Sequence, residues 1–314
     1  MTSLRNSRRS LLKVAVWIKE LRAPFFTATI VPVLLGTIIA WYEYGFFSAT
    51  IFVLTLTAAL CLDGGTNMIN DYFDYRSGCD LHPQYKEFSA PFFGGSRLLP
   101  EGILKPRDVF IAAVISFALG GTIGVVLAFK VGWVVLLLGG IGVISGYLYT
   151  KLSSRGLGEF FVFLNAGPLI VIGSYYVQVQ NLSVEPIVAS LPIGFLIASV
   201  LWINEIPDCA ADKAAGKNTQ VVRLGKKKAA DVYAILMIMP YVLIIFGVVS
   251  RLLPTFSSIA LATLPLALQS IIVVRGHYEE TSKLVSASVG TILTHLFTGI
   301  LLMFGYILTN FPKF

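Results

Sequence analysis

The chain has 314 residues, of which 56% are hydrophobic and only 13% charged, and its mean hydropathy is +0.78. A soluble domain carries about twice that charged fraction, so the composition excludes an ordinary water-soluble globule. The net charge of +7 does not indicate a nucleic-acid partner, because the basic residues gather on alternate connections rather than in one patch.

In chain order, residues 1–23 come first. Arg5, Arg8, Arg9 and Lys13 alternate with Leu11, Leu12, Val16 and Ile18, and charged Lys19, Glu20 and Arg22 break the apolar pattern. A signal peptide would need an unbroken apolar core, so this arm reads as an amphipathic helix on the anionic cytoplasmic leaflet. Residues 24–314 read as a single transmembrane domain. It holds nine apolar runs: about Phe25–Tyr42, Phe47–Leu62, Val109–Phe129, Val131–Tyr149, Phe160–Val179, Ile187–Ile203, Val232–Val249, Ser257–Val274 and Leu284–Leu308. A helix needs roughly 20 residues to cross a bilayer, whereas barrel strands alternate over about ten. The predicted fold is therefore all-α, a polytopic bundle of about nine transmembrane helices. With the N-terminus in the cytoplasm, 21 of the 24 Lys and Arg residues lie inside, against Lys130, Arg251 and Lys313 outside. Such asymmetry sets orientation.

Two acidic clusters end the second and sixth runs. The first reads Asn70-Asp71-Tyr72-Phe73-Asp74, with Asp80 beyond it; the second reads Asn204-Glu205-Ile206-Pro207-Asp208, with Asp212 beyond it. Their recurrence four helices apart predicts two four-helix pseudo-repeats plus one final helix. Asp63, Asn67, Asn70 or Asp71, and Asp74 step by three or four, as do Asn204, Asp208 and Asp212. That spacing places side chains on one face of a helix. Pro207 should loosen the second helix near the membrane surface.

Carboxylates gathered in one pocket repel unless a cation neutralises them. Hard oxygen donors suit Mg²⁺, which bridges carboxylates to substrate phosphates. Bases for the phosphates stand nearby: Arg22, Arg97 in the Gly-rich stretch from Ser89 to Arg97, Lys151, Lys213 and Lys217. The three histidines, His82, His277 and His295, form no hydrolase pattern, and no Walker loop is present. The residues thus predict a magnesium-dependent enzyme handling a diphosphate at the cytoplasmic face of the cell membrane. A cation-coupled transporter is the alternative from another class, but its acids would stand near the midplane.

Asn70-Asp71-x-x-Asp74 with Asp80, Tyr147-x-x-x-Lys151 and Asp208-x-x-x-Asp212, after spans two, four and six, resemble the signature motifs of the UbiA superfamily of intramembrane aromatic prenyltransferases. Leu21-Arg22-Ala23-Pro24 and the stretch from Asp212 to Gly225 are also similar, and the Asp74-to-Asp80 spacing resembles the branch acting on 1,4-dihydroxy-2-naphthoate in menaquinone synthesis. The resemblance implies transfer of a polyprenyl group from a polyprenyl diphosphate to that small aromatic acceptor; 4-hydroxybenzoate, homogentisate or a porphyrin-type ring are the other acceptors. It implies Mg²⁺ on Asp71, Asp74, Asp208 and Asp212, with Asn70, Asp80, Asn67 and Asn204 as further ligands or supports behind them. It also implies Lys151 and Tyr147 as catalytic residues and Arg22, Arg97, Lys151 and Lys213 on the diphosphate.

Overall fold

The computed structural model describes residues 13–83 and 95–310. The arm residues Arg5 to Leu12, the Ser89–Gly94 stretch and Lys313 lie outside them. Among the described residues all regular structure is helical, and eight helices are long and apolar enough to cross a membrane. The elements are α1 (Thr27–Tyr44), α2 (Ala49–Ser77), α3 (Pro106–Val131), α4 (Val134–Tyr147), α5 (Tyr149–Ser153), α6 (Gly158–Leu164), α7 (Ile170–Val179), α8 (Val184–Ala214), α9 (Gln220–Leu224), α10 (Lys226–Val249), α11 (Leu264–His277) and α12 (Thr281–Asn310). The ninth expected span is α4, which has only 14 residues. At 1.5 Å per residue it covers about 21 Å, short of a hydrocarbon core of roughly 30 Å. Its apolar run is cut at both ends, by Gly132 in a positive-φ turn and by Leu148, which closes α4.

Local sequence sets where the long helices begin and end. Ser48 and Ser183 cap α2 and α8 by accepting from the backbone N–H of Ile51 and Glu185. Pro106 opens α3 at a position where its missing N–H has no partner to lose. Gly78 closes α2 in the left-handed region, which glycine enters without penalty. Pro207 does not end α8, which continues to Ala214. α6 and α7 form one span joined by a π-helical turn at Asn165–Leu169, where Pro168 withholds a backbone donor.

α2 packs along α3, α8 against α10 and α12, and α1 between α7 and α12. The two acid-bearing helices, of 29 and 31 residues, occupy equivalent places in the two halves, with α12 as the added helix. Outward side chains such as Phe129, Ile144 and Ile272 are exposed and apolar, as a lipid-facing surface requires. The bundle is that of a multi-pass membrane protein.

On the acid-bearing end, residues before α1 fold into the body. Trp17 and Leu21 pack with Met68, Ile69, Leu99 and Val109. Glu20 is fully buried and accepts from Ser96 Oγ at 2.6 Å, while the Ser96 N–H donates to Asp71 at 2.9 Å. The arm read from the sequence thus joins the domain well before residue 23.

Two outcomes are expected. Close approach of α1 and α7 depends on Gly36, where an added Cβ would stand 2.2 Å from the Val171 carbonyl oxygen. That atom is backbone and cannot swing aside, so Gly36→Ala should destabilise by about 1–3 kcal/mol. Thermal unfolding in detergent reads the loss; an unchanged midpoint would contradict this packing. Burial, reinforced by the charge of Asp71, raises the Glu20 carboxyl from 4.5 to about 7. A raised carboxyl favours its protonated form in the fold. Its contribution is therefore complete below the unfolded value and is lost as pH rises through the folded one. The unfolding midpoint should fall across that interval, and Glu20→Gln should flatten the slope.

Candidate active site

α2 and α8 deliver their polar stripes to one cavity of about 670 Å³. From α2 come Asp63, Asn67, Asn70 and Asp74; from α8 come Asn204, Glu205, Asp208 and Asp212. Just past Gly78, the short turn Cys79–Leu81 adds Cys79 and Asp80, and Arg22, Tyr149 and Lys217 complete the polar end. Thr55 lines the same cavity, and its separation from Asp74 along α2 is about 28 Å. The cavity therefore runs through most of a bilayer's thickness. Its deeper walls are apolar, with Leu127, Val135, Leu138 and Val177 among them.

Charge compensation organises the polar end. Lys217 Nζ stands 3.0 Å from Asp74 Oδ2 and 3.6 Å from Asp212 Oδ1, so one ammonium joins the two halves. Burial pulls the Lys217 ammonium down, but Asp74 and Asp212 overcome it and hold it well above the ordinary lysine range. Cys79 Sγ donates to Asp212 Oδ1 at 3.2 Å. Asn70 donates to Asp74 at 3.1 Å and accepts from Thr150 Oγ1 at 3.0 Å. Arg22 hydrogen-bonds Asp71, and despite its burial the charges of Asp71 and Asp80 keep it fully protonated. Burial, then the charges of Asp74 and Asp71, lift the Asp80 carboxyl to about 8. The cluster thus holds more negative charge than its own cations neutralise.

Helix phase decides which expected residues meet here. Asn70 and Asp74 line the cavity, whereas Asp71 is engaged by Arg22 and Ser96 instead. Asp80 takes a place on the wall. Lys213 follows Asp212 directly and is exposed for the same reason. Tyr147 and Lys151 are not brought to the cavity either. Gly142, Ser145, Tyr149 and Ser153 line the cavity at helical spacing, so Tyr147 and Lys151 fall on another face, where Tyr147 packs beside Phe73 and Phe117 and Lys151 is exposed. Arg97 donates to the Asp80 carbonyl at 2.6 Å, which clamps the segment carrying Asp80 from behind. Asn67 donates to Asp63 and to the Leu21 carbonyl, and Asn204 accepts from Ser288. Both wall asparagines are already engaged by protein.

Lys217 reaches the cavity where Lys151 and Lys213 do not. Its signal is Gly216, whose φ of 75° turns the chain back after α8 so that Lys217 N–H bonds the Asp212 carbonyl at 2.8 Å. Gly95 has a parallel role. Its φ is 73°, and a Cβ there would meet Arg22 Nη2 at 3.0 Å and Asp71 Oδ1 at 3.1 Å.

The donor set fits a hard divalent cation. Asp74 Oδ1 is buried without a hydrogen-bond partner, and Asp80, Asp208 and Asp212 face the same space. Among the described residues, no three carboxylate, thiol or imidazole groups stand close enough to bind one ion as they are, and Lys217 holds the position between Asp74 and Asp212.

The 2-carboxy-1,4-naphthoquinone phytyltransferase of Synechocystis is 28% identical over 93% of this chain and 92% of its own length. The 1,4-dihydroxy-2-naphthoate octaprenyltransferase of Bacillus subtilis is 27% identical over 91% of this chain and 90% of its own. A solved structure of a UbiA homolog from Archaeoglobus fulgidus bound to DMAPP and Mg²⁺ shares the fold. Its TM-score is 0.61 at 15% identity, covering 91% of this chain and 98% of that one. The sequence profile of the UbiA prenyltransferase family matches residues 29–289, most of the chain, and the protein belongs to that family.

Proposed function

We propose that the protein transfers a polyprenyl group from a prenyl diphosphate to 1,4-dihydroxy-2-naphthoate in a menaquinone-type pathway, with its site open to the cytoplasm. One observation carries this reading. Asp74 and Asp212, from opposite halves of the bundle, meet a single partly buried lysine at the polar end of a long apolar cavity. A diphosphate with a hydrocarbon tail matches both ends. The two similar naphthoate-pathway enzymes favour the naphthoate acceptor, and the basic asymmetry of the loops favours the cytoplasmic side.

Asp74, Asp80, Asp208 and Asp212 would hold Mg²⁺, with Asn70 orienting Asp74 from behind. The ion, when bound, supplies Lewis-acid neutralisation of the diphosphate. Lys217 and Arg22 add fixed positive charge where the leaving group gathers negative charge, a large lever in a water-poor site. The apolar walls exclude water that would otherwise capture the allylic cation. Residues 24–314, joined by the packed segment from Trp17 onward, act as one prenyltransferase domain on this reading.

Purified protein in lipid, supplied with Mg²⁺, labelled prenyl diphosphates and a panel of aromatic rings, should yield a prenylated naphthoate identifiable by mass. Product on 4-hydroxybenzoate, homogentisate or a porphyrin-type ring instead would reassign the acceptor, and ion flux without product would replace the enzyme with a transporter. Asp74→Asn and Asp212→Asn should each lower transfer by about 10²–10³-fold while the protein remains inserted. Lys217→Ala should lose a comparable factor, because its ammonium faces the site. Lys151→Ala should stay within about threefold, as expected for a surface substitution. The reverse ranking of the two lysines in steady-state kinetics would overturn the assignment of Lys217.

A further inference from the structure

Carboxyl groups hydrogen-bond one another at both ends of the bundle. Glu159 and Glu205 meet beside the cavity acids, and Glu43 and Glu185 meet at the opposite end. Glu43 stands in the last turn of α1 and Glu185 in the first turn of α8, about 40 Å along that helix from Asp212. Both are half-buried, and neither lines the cavity. The far pair therefore has no task in the chemistry proposed above.

Four helices converge on it. Glu43 accepts from the Tyr175 hydroxyl of α7 and, at 2.8 Å, from Ser183 Oγ, which in turn accepts from the Glu185 N–H at 3.2 Å. The Glu185 carboxyl is the third donor to Glu43, and the fully buried Tyr306 of α12 places its hydroxyl beside Glu185. Tyr306 also packs edge-on against Tyr42, the neighbour of Glu43, with ring centroids 5.2 Å apart. Among the described residues, the ionisable groups around the pair are Tyr42 and Tyr44 from α1, Tyr175 from α7 and Tyr306 from α12, with no lysine, arginine or histidine among them.

One proton makes this arrangement coherent. Glu43 is then a carboxylate receiving three donors, and Glu185 is the acid that gives one of them. No cation is at hand to hold two negative charges together, so departure of the proton acts twice. Glu43 loses a donor, and two carboxylates are left in contact across the ends of α1 and α8. At the cavity end Lys217 joins two acids; at this end a proton does so.

We propose that the proton shared by Glu43 and Glu185 is a pH-sensitive clasp, which ties α1, α7, α8 and α12 together when present and loosens α1 from α8 when lost. Three of these helices also wall the cavity, through Thr29, Val177 and Ile197, so the clasp bears on how rigidly that cavity is held. It does not depend on the reaction assigned to the cavity. The test is thermal unfolding in detergent from mildly acidic to alkaline pH, in a Glu20→Gln background that removes the other titrating carboxyl invoked above. The folded state keeps a proton that the unfolded chain gives up, so the contribution is complete at low pH and lost as pH rises. The midpoint should fall by about 2–4 °C over that course. Adding Glu185→Gln, whose amide donates to Glu43 at every pH, should hold the midpoint nearly level. Adding Glu185→Ala should lower it at acidic pH and remove most of the fall. Infrared spectra give a readout that general destabilisation does not mimic. Subtracting the Glu185→Gln spectrum from its parent near neutral pH should leave the carbonyl band of a protonated carboxyl, which fades on alkaline titration. If Glu185→Ala does not fold, the Gln variant and the infrared difference decide. The same pH profile in parent and Glu185→Gln, or a difference spectrum without that band, would overturn the inference.

Discussion

The Lys217 ammonium between Asp74 and Asp212 is the interaction on which the polar end depends. Two carboxylates brought together at the edge of a hydrocarbon region repel, and each is costly to desolvate. A single cation reaching both turns that repulsion into a link between halves of the bundle. The connection that supplies it is itself fastened. Asn218 N–H donates to the Ser154 carbonyl at 3.1 Å, Gln220 Nε2 to the Gly156 carbonyl at 2.8 Å, and Arg223 to the Arg155 carbonyl at 2.6 Å. The loop after α8 is thus bolted to the loop before α6, and Lys217 is held over the cavity by backbone contacts on both sides.

The first half uses the same device with different parts. Arg22 reaches Asp71 from before α1, and Ser96 closes on the other Asp71 oxygen while binding Glu20. Asp71 is therefore held by protein partners at the mouth, while Asp74 lines the cavity. The two acids differ in their partners: Arg22 and Ser96 take both oxygens of Asp71, whereas Lys217 and Asn70 reach Asp74 at the cavity wall.

The membrane bundle and the meeting of two acid-bearing helices were legible from the chain, because apolar run length and i, i+4 spacing survive without coordinates. Residue roles were less legible where more than one face of a helix carries polar groups. Tyr147 and Lys151 share one face, but Tyr149 and Ser153, on another, line the cavity. Lys217 comes after a positive-φ glycine, so no helical count from Asp212 could place it beside Asp74. Asn70 and Asp71 were indistinguishable by spacing alone, as both fall three or four residues from their neighbours in the stripe. Glu205 and Glu159 lie far apart in sequence and meet only through the packing of α6 on α8.

Polarity along the cavity falls in steps, and the steps match the course of the proposed reaction. Outermost stand Asp74, Asp80, Asp208 and Asp212 with two cations among them, the surroundings a diphosphate and a metal require. A turn or two deeper the wall mixes donors and acceptors, with Thr66, Asn67, Asn204 and Glu205 among them. Beyond Asp63 the wall becomes almost wholly apolar toward Leu127 and Val177, where only hydrocarbon would be at home. An ammonium at that depth would draw a diphosphate inward, away from the acids at the mouth. Unbroken α2 and α8 make this gradient possible, because a helix that satisfies its own backbone can carry polar side chains into the membrane without exposing peptide groups.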